Sequence, residues 1–160
     1  MIGREATLRL LKRLVQESPA DQTEGLLLTE DSSLTRFAQS TIHQHVAERN
    51  GTLILRVVLG KKIAVVTTNL LKYSSLRDSL QKAISLAKIQ YPNKEFISLP
   101  EPKPIPEVGT FSKKIGVLTP DKKVKVIKDL FNIVKERGLR VSGAFSHGKV
   151  ELAVVNSLGI

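Results

Sequence analysis

Apolar residues recur at the spacing of an amphipathic helix in two segments within the first 92 residues. The first segment covers residues 3–17 and ends at Ser18-Pro19, where the proline stops the pattern. The second begins near Ser75, where Ser75 and Asp78 have the spacing of a capping box, and ends at Tyr91-Pro92. The sequence therefore predicts two helices, the second with one apolar face made of Leu76, Leu80, Ala83, Ile84 and Ala87.

A third helical segment carries the clearest end signals. Thr119 is placed to cap its N-terminus, Pro120 suits its first turn, and Gly138 suits its end. Five apolar residues form its predicted buried stripe, and the lysines lie mostly off that stripe: Val124, Ile127, Leu130, Phe131 and Val134 against Lys122, Lys123, Lys125, Lys128 and Lys135. We therefore expect one face to hold this helix to the core while the lysines face solvent.

Residues 24–69 change to the composition and alternation typical of β-strands, and a last pair of strands is predicted after the third helix. The predicted strands are "GLLLTED", "LTRFA", "TIHQHVAE", "TLILRVVL", "IAVVTT", "LRVSGAFS" and "KVELAVVN". Turns are predicted at Asp31-Ser32-Ser33, Asn50-Gly51, Gly60-Lys61-Lys62 and His147-Gly148. Such short connections leave no room for helical crossovers, so we predict an antiparallel sheet with the helices mainly on one face, an α+β fold in one domain.

A proline-rich segment separates the second and third helices. Residues 91–108, "YPNKEFISLPEPKPIPEV", contain five of the seven prolines and favour an extended chain. At about 3.1 Å per residue, such a strap reaches roughly 55 Å. We expect it to pack on its own domain, in preference to serving as a ligand for an SH3-type domain.

Composition narrows the classes of function. The chain has 160 residues, a net charge of +10 and no cysteine, which excludes disulfides, thiol nucleophiles and zinc sites built on sulfur. The charge fits a nucleic-acid-binding module, an acidic partner or solvated lysines, but 4% aromatic residues leave few platforms for stacking bases, so nucleic acid is the less favoured partner. With no signal peptide and no apolar run near the ~20 residues of a membrane span, we predict a cytoplasmic protein.

The chemically reactive side chains form no recognisable catalytic set. His43 and His45 share one face of a strand, but a zinc site needs a third protein ligand and the remaining histidine, His147, is about a hundred residues away. Adjacent residues Ser146 and His147 point to opposite faces of a strand and cannot act as nucleophile and base. Gly60-Lys61-Lys62 lacks the rest of a phosphate-binding loop. We predict no catalytic and no metal-binding residue.

Three blocks of the chain resemble the N-terminal part of the TldD/PmbA family, also called modulators of gyrase. They are residues 34–69, the segment "LPEPKPIPEV" and the segment "SGAFSHGKVELAVVNSLGI". The resemblance implies a zinc metallopeptidase, often with two subunits of which one carries the metal. Its ligands come from a His-Glu-x-x-x-His helix and from a residue near the C-terminus, and both lie beyond the region that this sequence covers.

The resemblance also implies a role for the chain. We expect a non-catalytic N-terminal scaffold and interface domain of a metallopeptidase subunit, without the catalytic C-terminal domain and without a cofactor of its own, zinc belonging to the full-length member. The expected partners are a peptide substrate, through the full-length protein, and a second subunit in a homo- or heterodimer. Candidate contact residues are Thr35, Arg36, Phe37 and Asn156. The alternatives are a basic nucleic-acid-binding module and a small hydrolase active by itself.

Overall fold

The computed structural model of the protein describes residues 2–160, which form four strands and four helices. In chain order they are α1 (Arg4–Gln16), β1 (Gln22–Ala38), β2 (Thr41–Leu59), β3 (Lys62–Thr68), α2 (Tyr73–Ile89), α3 (Lys113–Gly116), α4 (Pro120–Lys135) and β4 (Gly143–Asn156). The strands make one antiparallel sheet in the order β3-β2-β1-β4. This confirms the α+β prediction; within the described residues, no helix is both long and apolar enough to span a bilayer.

Three of the predicted turns are wrong, because the strands run straight through them. Asp31-Ser32-Ser33 lies inside β1, Asn50-Gly51 inside β2 and His147-Gly148 inside β4. At Gly51 the missing side chain serves packing instead of a turn, since a Cβ atom there would lie 2.5 Å from Cδ1 of Leu71. Local turn propensity is therefore overridden by tertiary contacts in these long strands.

The chain reverses instead at two short loops. Gln39 and Ser40 join β1 to β2, and both have positive φ angles, 51° and 57°. Gly60 (φ 59°) and Lys61 join β2 to β3, where Leu59 pairs with Lys62. The hairpin predicted at Gly60-Lys61-Lys62 is thus confirmed, and its glycine supplies the left-handed conformation that such turns require.

Side-chain contacts between strands reveal the register of the sheet. Residue n of β1 lies beside residue 80−n of β2, as in the pairs Arg36–Gln44 and Glu24–Arg56. It also lies beside residue 180−n of β4, as in the pair Asp31–Lys149. Because the side-chain period of a strand is two, odd-numbered residues of these three strands share one face of the sheet and even-numbered residues the other.

The chain divides into two compact units. Unit 1 comprises the described chain up to Thr29, Asn50–Glu107 and Val150–Ile160, and unit 2 comprises Glu30–Arg49 and Val108–Lys149. β1, β2 and β4 therefore each contribute residues to both units.

Unit 1 contains a continuous apolar core between its helices and the odd-numbered face of its strands. The core consists of Leu11, Leu14, Val15, Leu27, Leu53, Leu55, Val57, Ala64, Leu76, Leu80, Ala83, Ile84, Ala87 and Val155. The apolar face predicted for α2 is confirmed by these residues, and the amphipathic helix predicted for α1 contributes Leu11, Leu14 and Val15. The capping box is wrong: α2 begins at Tyr73, so Ser75 lies within its first turn and its carbonyl accepts a hydrogen bond from Ser79.

The proline-rich strap packs on unit 1 over part of its length. The backbone N–H of Asn93 donates to the carbonyl of Lys61 (2.8 Å), and that of Leu99 donates to Oε1 of Gln22 (2.8 Å). The Leu99 side chain is buried, whereas residues 101–107 are exposed. The predicted packing on its own domain is therefore confirmed for the first part of the strap.

Unit 2 is built around α4, which begins as predicted. Thr119 caps the helix by accepting a hydrogen bond from the backbone of Lys122, and Gly138 follows its end with a φ of 67°. The predicted stripe is partly wrong, because Leu130 is 37% exposed while Lys123 is 1% exposed. Lys123 lies one turn before the buried Ile127, so the buried line of the helix passes through a lysine.

Candidate functional site

Three of the four predicted contact residues lie next to one another in unit 2. Thr35 and Phe37 are buried on the odd-numbered face of β1. Thr35 forms a 2.7 Å hydrogen bond with Nδ1 of His45, and the Phe37 ring meets that of Phe131 edge-on at 5.4 Å. Both are thus held by their own unit, and their proposed contacts with substrate stay predictions.

Arg36 points to the opposite, even-numbered face of β1. Its Nη1 atom donates to Oε1 of Gln44 at 3.2 Å, and the side chain is exposed. It lines a groove of about 570 Å³ whose other polar residues include Glu30, Ser32 and Ser146. Of the four predicted residues, Arg36 is the one whose side chain is open to a ligand.

Asn156, the fourth predicted contact residue, lies in unit 1 and is buried. Its Nδ2 atom donates to the carbonyl of Pro100 (2.7 Å), while its Oδ1 atom accepts from the backbone N–H groups of Leu158 and Ile160. The side chain therefore ties the proline-rich strap to the last residues of the sequence. A contact of Asn156 with substrate or a second subunit stays a prediction.

A second cluster on the odd-numbered face of unit 2 was not predicted. The Lys123 amine, on α4, donates a hydrogen bond to Oγ of Ser33, on β1. Among residues 2–160 no carboxylate oxygen lies within the 4.0 Å of an ion pair to this amine. Burial lowers the pKa of Lys123, since a charged ammonium is poorly solvated there.

His147 belongs to the same part of unit 2. The β1–β4 register places it beside Ser33, and its buried Nδ1 atom has no hydrogen-bond partner among the described residues. Burial, reinforced by the charges of Lys123, Lys149 and His45, lowers the pKa of His147, so the ring is neutral near pH 7. The sequence prediction placed His147 in a turn and therefore could not assign it to a face of the sheet.

Ser33 and His147 line a cavity of about 350 Å³, together with Arg49, Lys149, Gly116 and Asp31. Arg49 donates to Oδ1 of Asp31 at 2.8 Å, and the Lys149 amine lies 3.7 Å from Oδ2 of the same residue. Burial tends to raise the pKa of Asp31, but the hydrogen bond from Arg49 helps to hold it below its usual value. Two cationic side chains, Arg49 and Lys149, therefore line the cavity, and both pair with the carboxylate of Asp31.

The residues of this chain do not fit the zinc ion that the family resemblance implies. Within residues 2–160 no three side chains of the His, Cys, Asp or Glu type come close enough to hold a metal ion. His43 is exposed and His45 is bound to Thr35. We derive no chemistry through zinc from this chain.

Unit 1 leaves apolar side chains exposed on the even-numbered face of the sheet. Five of them are between 36% and 59% exposed: Leu28, Ile54, Val65, Val150 and Leu152. The β1–β4 register places Leu28 beside Leu152. Ile54 lies on the adjacent strand β2, where it pairs with Thr67 of β3. We call these five residues the open-face patch. Antiparallel sheets with one packed face usually carry polar residues on the other, so this patch calls for a functional explanation.

The fold matches known structures although the sequence does not. No protein-family model matches the chain, and no curated protein matches it significantly. The crystal structure of TldE from Thermococcus kodakarensis superposes with a TM-score of 0.82 at 19% sequence identity. That match covers 97% of this chain and 35% of the TldE chain. The chain has the fold of this part of TldE.

Two further structures agree with that of TldE. A "putative modulator of a DNA gyrase" from Thermotoga maritima matches at 15% identity with a TM-score of 0.81, covering 96% of this chain and 36% of the other. One from Bacteroides thetaiotaomicron matches at 16% identity with the same TM-score, covering 100% and 38%. The TldD/PmbA resemblance is confirmed at the level of the fold, and the chain spans little more than a third of the length of TldE and these proteins.

Proposed function

We propose that the chain is a scaffold and interface domain of a TldD/PmbA-like metallopeptidase subunit. The observation that carries the proposal is the open-face patch, in a domain whose fold recurs as about a third of longer chains. Exposed apolar side chains on adjacent strands favour burial against another surface, at roughly 25 cal/mol for each Å² of apolar area removed from water. The occupant we propose is the remainder of a longer TldE-like polypeptide.

The surroundings of the patch support an interface. Arg56 and Glu24 form a 3.5 Å ion pair on the same even-numbered face, so charged groups border the apolar residues. An apolar centre with a polar rim is the usual composition of a docking surface. The helices cover the odd-numbered face of unit 1 and leave the even-numbered face available.

We propose further that the groove beside Arg36 contacts the peptide substrate of the full-length protein. It runs over β2, β1 and β4, and its polar residues include Glu30, Gln44 and Glu48. Donors and acceptors of this kind can bind the main chain of an extended peptide. The cytoplasmic location, the second subunit and the zinc of the full-length protein stay predictions.

The test begins with the reading frame downstream of Ile160. A segment encoding the remainder of a TldE-like polypeptide is expected there, and a His-Glu-x-x-x-His helix in it would identify the metal-bearing subunit, which should bind zinc and cleave peptides. In that protein the double variant Leu28→Asp/Leu152→Asp should lose peptide cleavage and expose a protease-sensitive junction, because two carboxylates would be buried in the interface. Leu86→Asp is the matched control, since Leu86 is 40% exposed on α2, away from the sheet.

Two results contradict the proposal. One is a downstream frame, where it exists, that does not encode the remainder of a TldE-like polypeptide. The other is full activity and unchanged protease resistance in the Leu28→Asp/Leu152→Asp variant, which would show that nothing docks on the open-face patch.

A nucleic-acid-binding module is the second candidate, favoured by the exposed lysines Lys122, Lys125 and Lys128 on α4. Binding to duplex DNA through them predicts a log–log salt slope of about −0.9 for each phosphate contacted. Changing the three lysines to glutamine should reduce that slope by roughly 3. Absence of DNA binding at low salt removes this candidate.

A further inference from the structure

We propose that Ser33 and Lys123 form a serine–lysine dyad that transfers small acyl groups. Ser33 is the nucleophile, the Lys123 amine is its general base, and the cavity of about 350 Å³ receives the acyl compound. All of these residues lie in unit 2. The proposal is independent of the interface function, because neither the open-face patch nor any metal takes part in it.

The arrangement places the two groups in the order that such chemistry needs. Ser33 is half-buried and lines the cavity. Lys123 is 1% exposed and does not line that cavity, but its amine contacts the Ser33 hydroxyl directly. A nucleophile with its base within hydrogen-bond reach is the minimum constellation for covalent catalysis, and serine–lysine pairs are one of its variants.

Lys123 is suited to act as a base because its surroundings do not favour the ammonium form. It is the one lysine of α4 that is buried, and no carboxylate of the described chain pairs with it. A buried cation without a counter-ion costs several kcal/mol, and lysine commonly responds by releasing its proton. A neutral amine has a lone pair that can accept the Ser33 hydroxyl proton.

The reaction balances without any oxidant or metal. Lys123 takes the proton of Ser33 while Oγ bonds to the carbonyl carbon of an ester. The bond from that carbon to the leaving alcohol then breaks, and the Lys123 ammonium returns the proton to the alcohol. Water attacks the resulting seryl ester by the same route, which releases a carboxylic acid and restores Ser33. The sum is an ester and water converted into an alcohol and an acid.

The rest of the cavity restricts the substrate class. Arg49 and Lys149 line it and pair with Asp31, so positive charge is available to stabilise the negative charge that develops on a carbonyl oxygen. His147 supplies a neutral ring on the same wall. The volume is at the lower end for ligand cavities, which favours a short acyl chain over a long one.

The test uses the intact chain with two probes, p-nitrophenyl acetate and a small fluorophosphonate. We expect both to modify Ser33, as located by mass spectrometry of peptides, and we expect Ser33→Ala to abolish that modification. Lys123→Met should slow it by about 10² to 10⁴-fold, the usual contribution of a general base. Ser112→Ala is the matched control and should leave the modification of Ser33 unchanged, since Ser112 is an exposed serine of the same unit that lines neither this cavity nor the groove beside Arg36.

Two further readouts separate catalysis from a structural role. The rate of modification should rise with pH as Lys123 loses its proton, with a midpoint below the ordinary lysine value of about 10.4. Lys123→Met should remain folded, because an apolar side chain of similar length replaces a buried amine that has no counter-ion in the described chain. Wild-type protein that reacts with neither probe overturns the proposal, as does modification of Ser33 at an unchanged rate in Lys123→Met.

Discussion

Unit 1 and unit 2 use the same three long strands in opposite ways. Of the eighteen buried hydrophobic residues in the described chain, only Phe37 and Ile127 belong to unit 2. Unit 2 instead contains Lys123, the one charged side chain among the buried residues of the described chain, and half-buries His147. Since apolar burial is the main stabilising term in folding, unit 1 should stabilise the molecule, while unit 2 holds polar groups that lower its stability. Polar groups that a protein buries although they lower its stability are the better candidates for a catalytic or binding role.

The largest expected effect comes from the core of unit 1. Leu55→Ala removes a fully buried side chain and should lower the free energy of unfolding by about 2–5 kcal/mol. Urea denaturation followed by circular dichroism measures it. Leu152→Ala, at an exposed position of the same unit, should change it by less than about 0.5 kcal/mol. Similar losses of unfolding free energy in both variants would show that Leu55 contributes no more to the core than the exposed Leu152.

In unit 2 we expect one substitution of a buried residue to raise the free energy of unfolding instead of lowering it. Lys123→Met removes a buried amine that has no carboxylate partner in the described chain and should raise the free energy of unfolding by roughly 1–3 kcal/mol. Lys122→Met, at the exposed neighbouring position, serves as control and should be nearly neutral. A destabilised Lys123→Met variant, measured by the same denaturation experiment, would mean that the hydrogen bond to Ser33 outweighs the cost of burying the amine and would contradict the contrast between the units.

Substitutions near the N-termini of α4 and α2 should have smaller effects on stability, and these effects should also differ between the units. Thr119→Ala removes the cap of α4 in unit 2 and should cost about 1 kcal/mol. Ser75→Ala, in unit 1, should cost nothing and gain up to about 0.5 kcal/mol, because Ser75 lies inside α2 and alanine is the better helix former. Thermal unfolding of the two variants compares them. A larger loss of stability for Ser75→Ala than for Thr119→Ala would show that Ser75 caps α2, as the sequence pattern predicts.

The smallest expected effect is the pH dependence of unit 2. The pKa of His147 is lower in the folded chain than its ordinary value of about 6.5, so the unfolded chain binds the proton more tightly. The stability that depends on a neutral ring is complete above that value and is lost as pH falls through the folded pKa. His147→Gln should reduce the loss of stability between pH 7.5 and 5.0, whereas His43→Gln, at an exposed histidine, should retain it. Identical pH profiles for wild type and His147→Gln would refute this assignment.

Local patterns were sufficient for the parts of the fold that depend on local contacts. The amphipathic helix α1, the apolar face of α2, the cap at Thr119 and the hairpin at Gly60-Lys61-Lys62 were predicted correctly, since each depends on residues within a few positions of one another. The turn at Asn50-Gly51 was not, because the contact of Gly51 with Leu71 depends on tertiary packing. Turn propensity has no information about such a neighbour.

The candidate dyad could not be found from the sequence for the same reason. Ser33 and Lys123 are separated by 90 positions, and both were assigned to solvent-facing contexts, a turn and a lysine-rich helix face. The sequence analysis did not predict that β1 is uninterrupted at residues 31–33. The continuous strand places Ser33 on the face that α4 covers. Among the predicted contact residues, only Arg36 combined charge with exposure, which alternation along β1 does suggest.

Native-state hydrogen exchange along β1 tests the contrast between the units most directly, because one strand supplies residues to both. The backbone amides of residues 23–29 should exchange only through global unfolding, whereas those of residues 30–38 should exchange through a smaller opening of unit 2, at a free energy lower by roughly 2 kcal/mol or more. Equal protection along the whole strand would contradict the account, because both units would then share one stability.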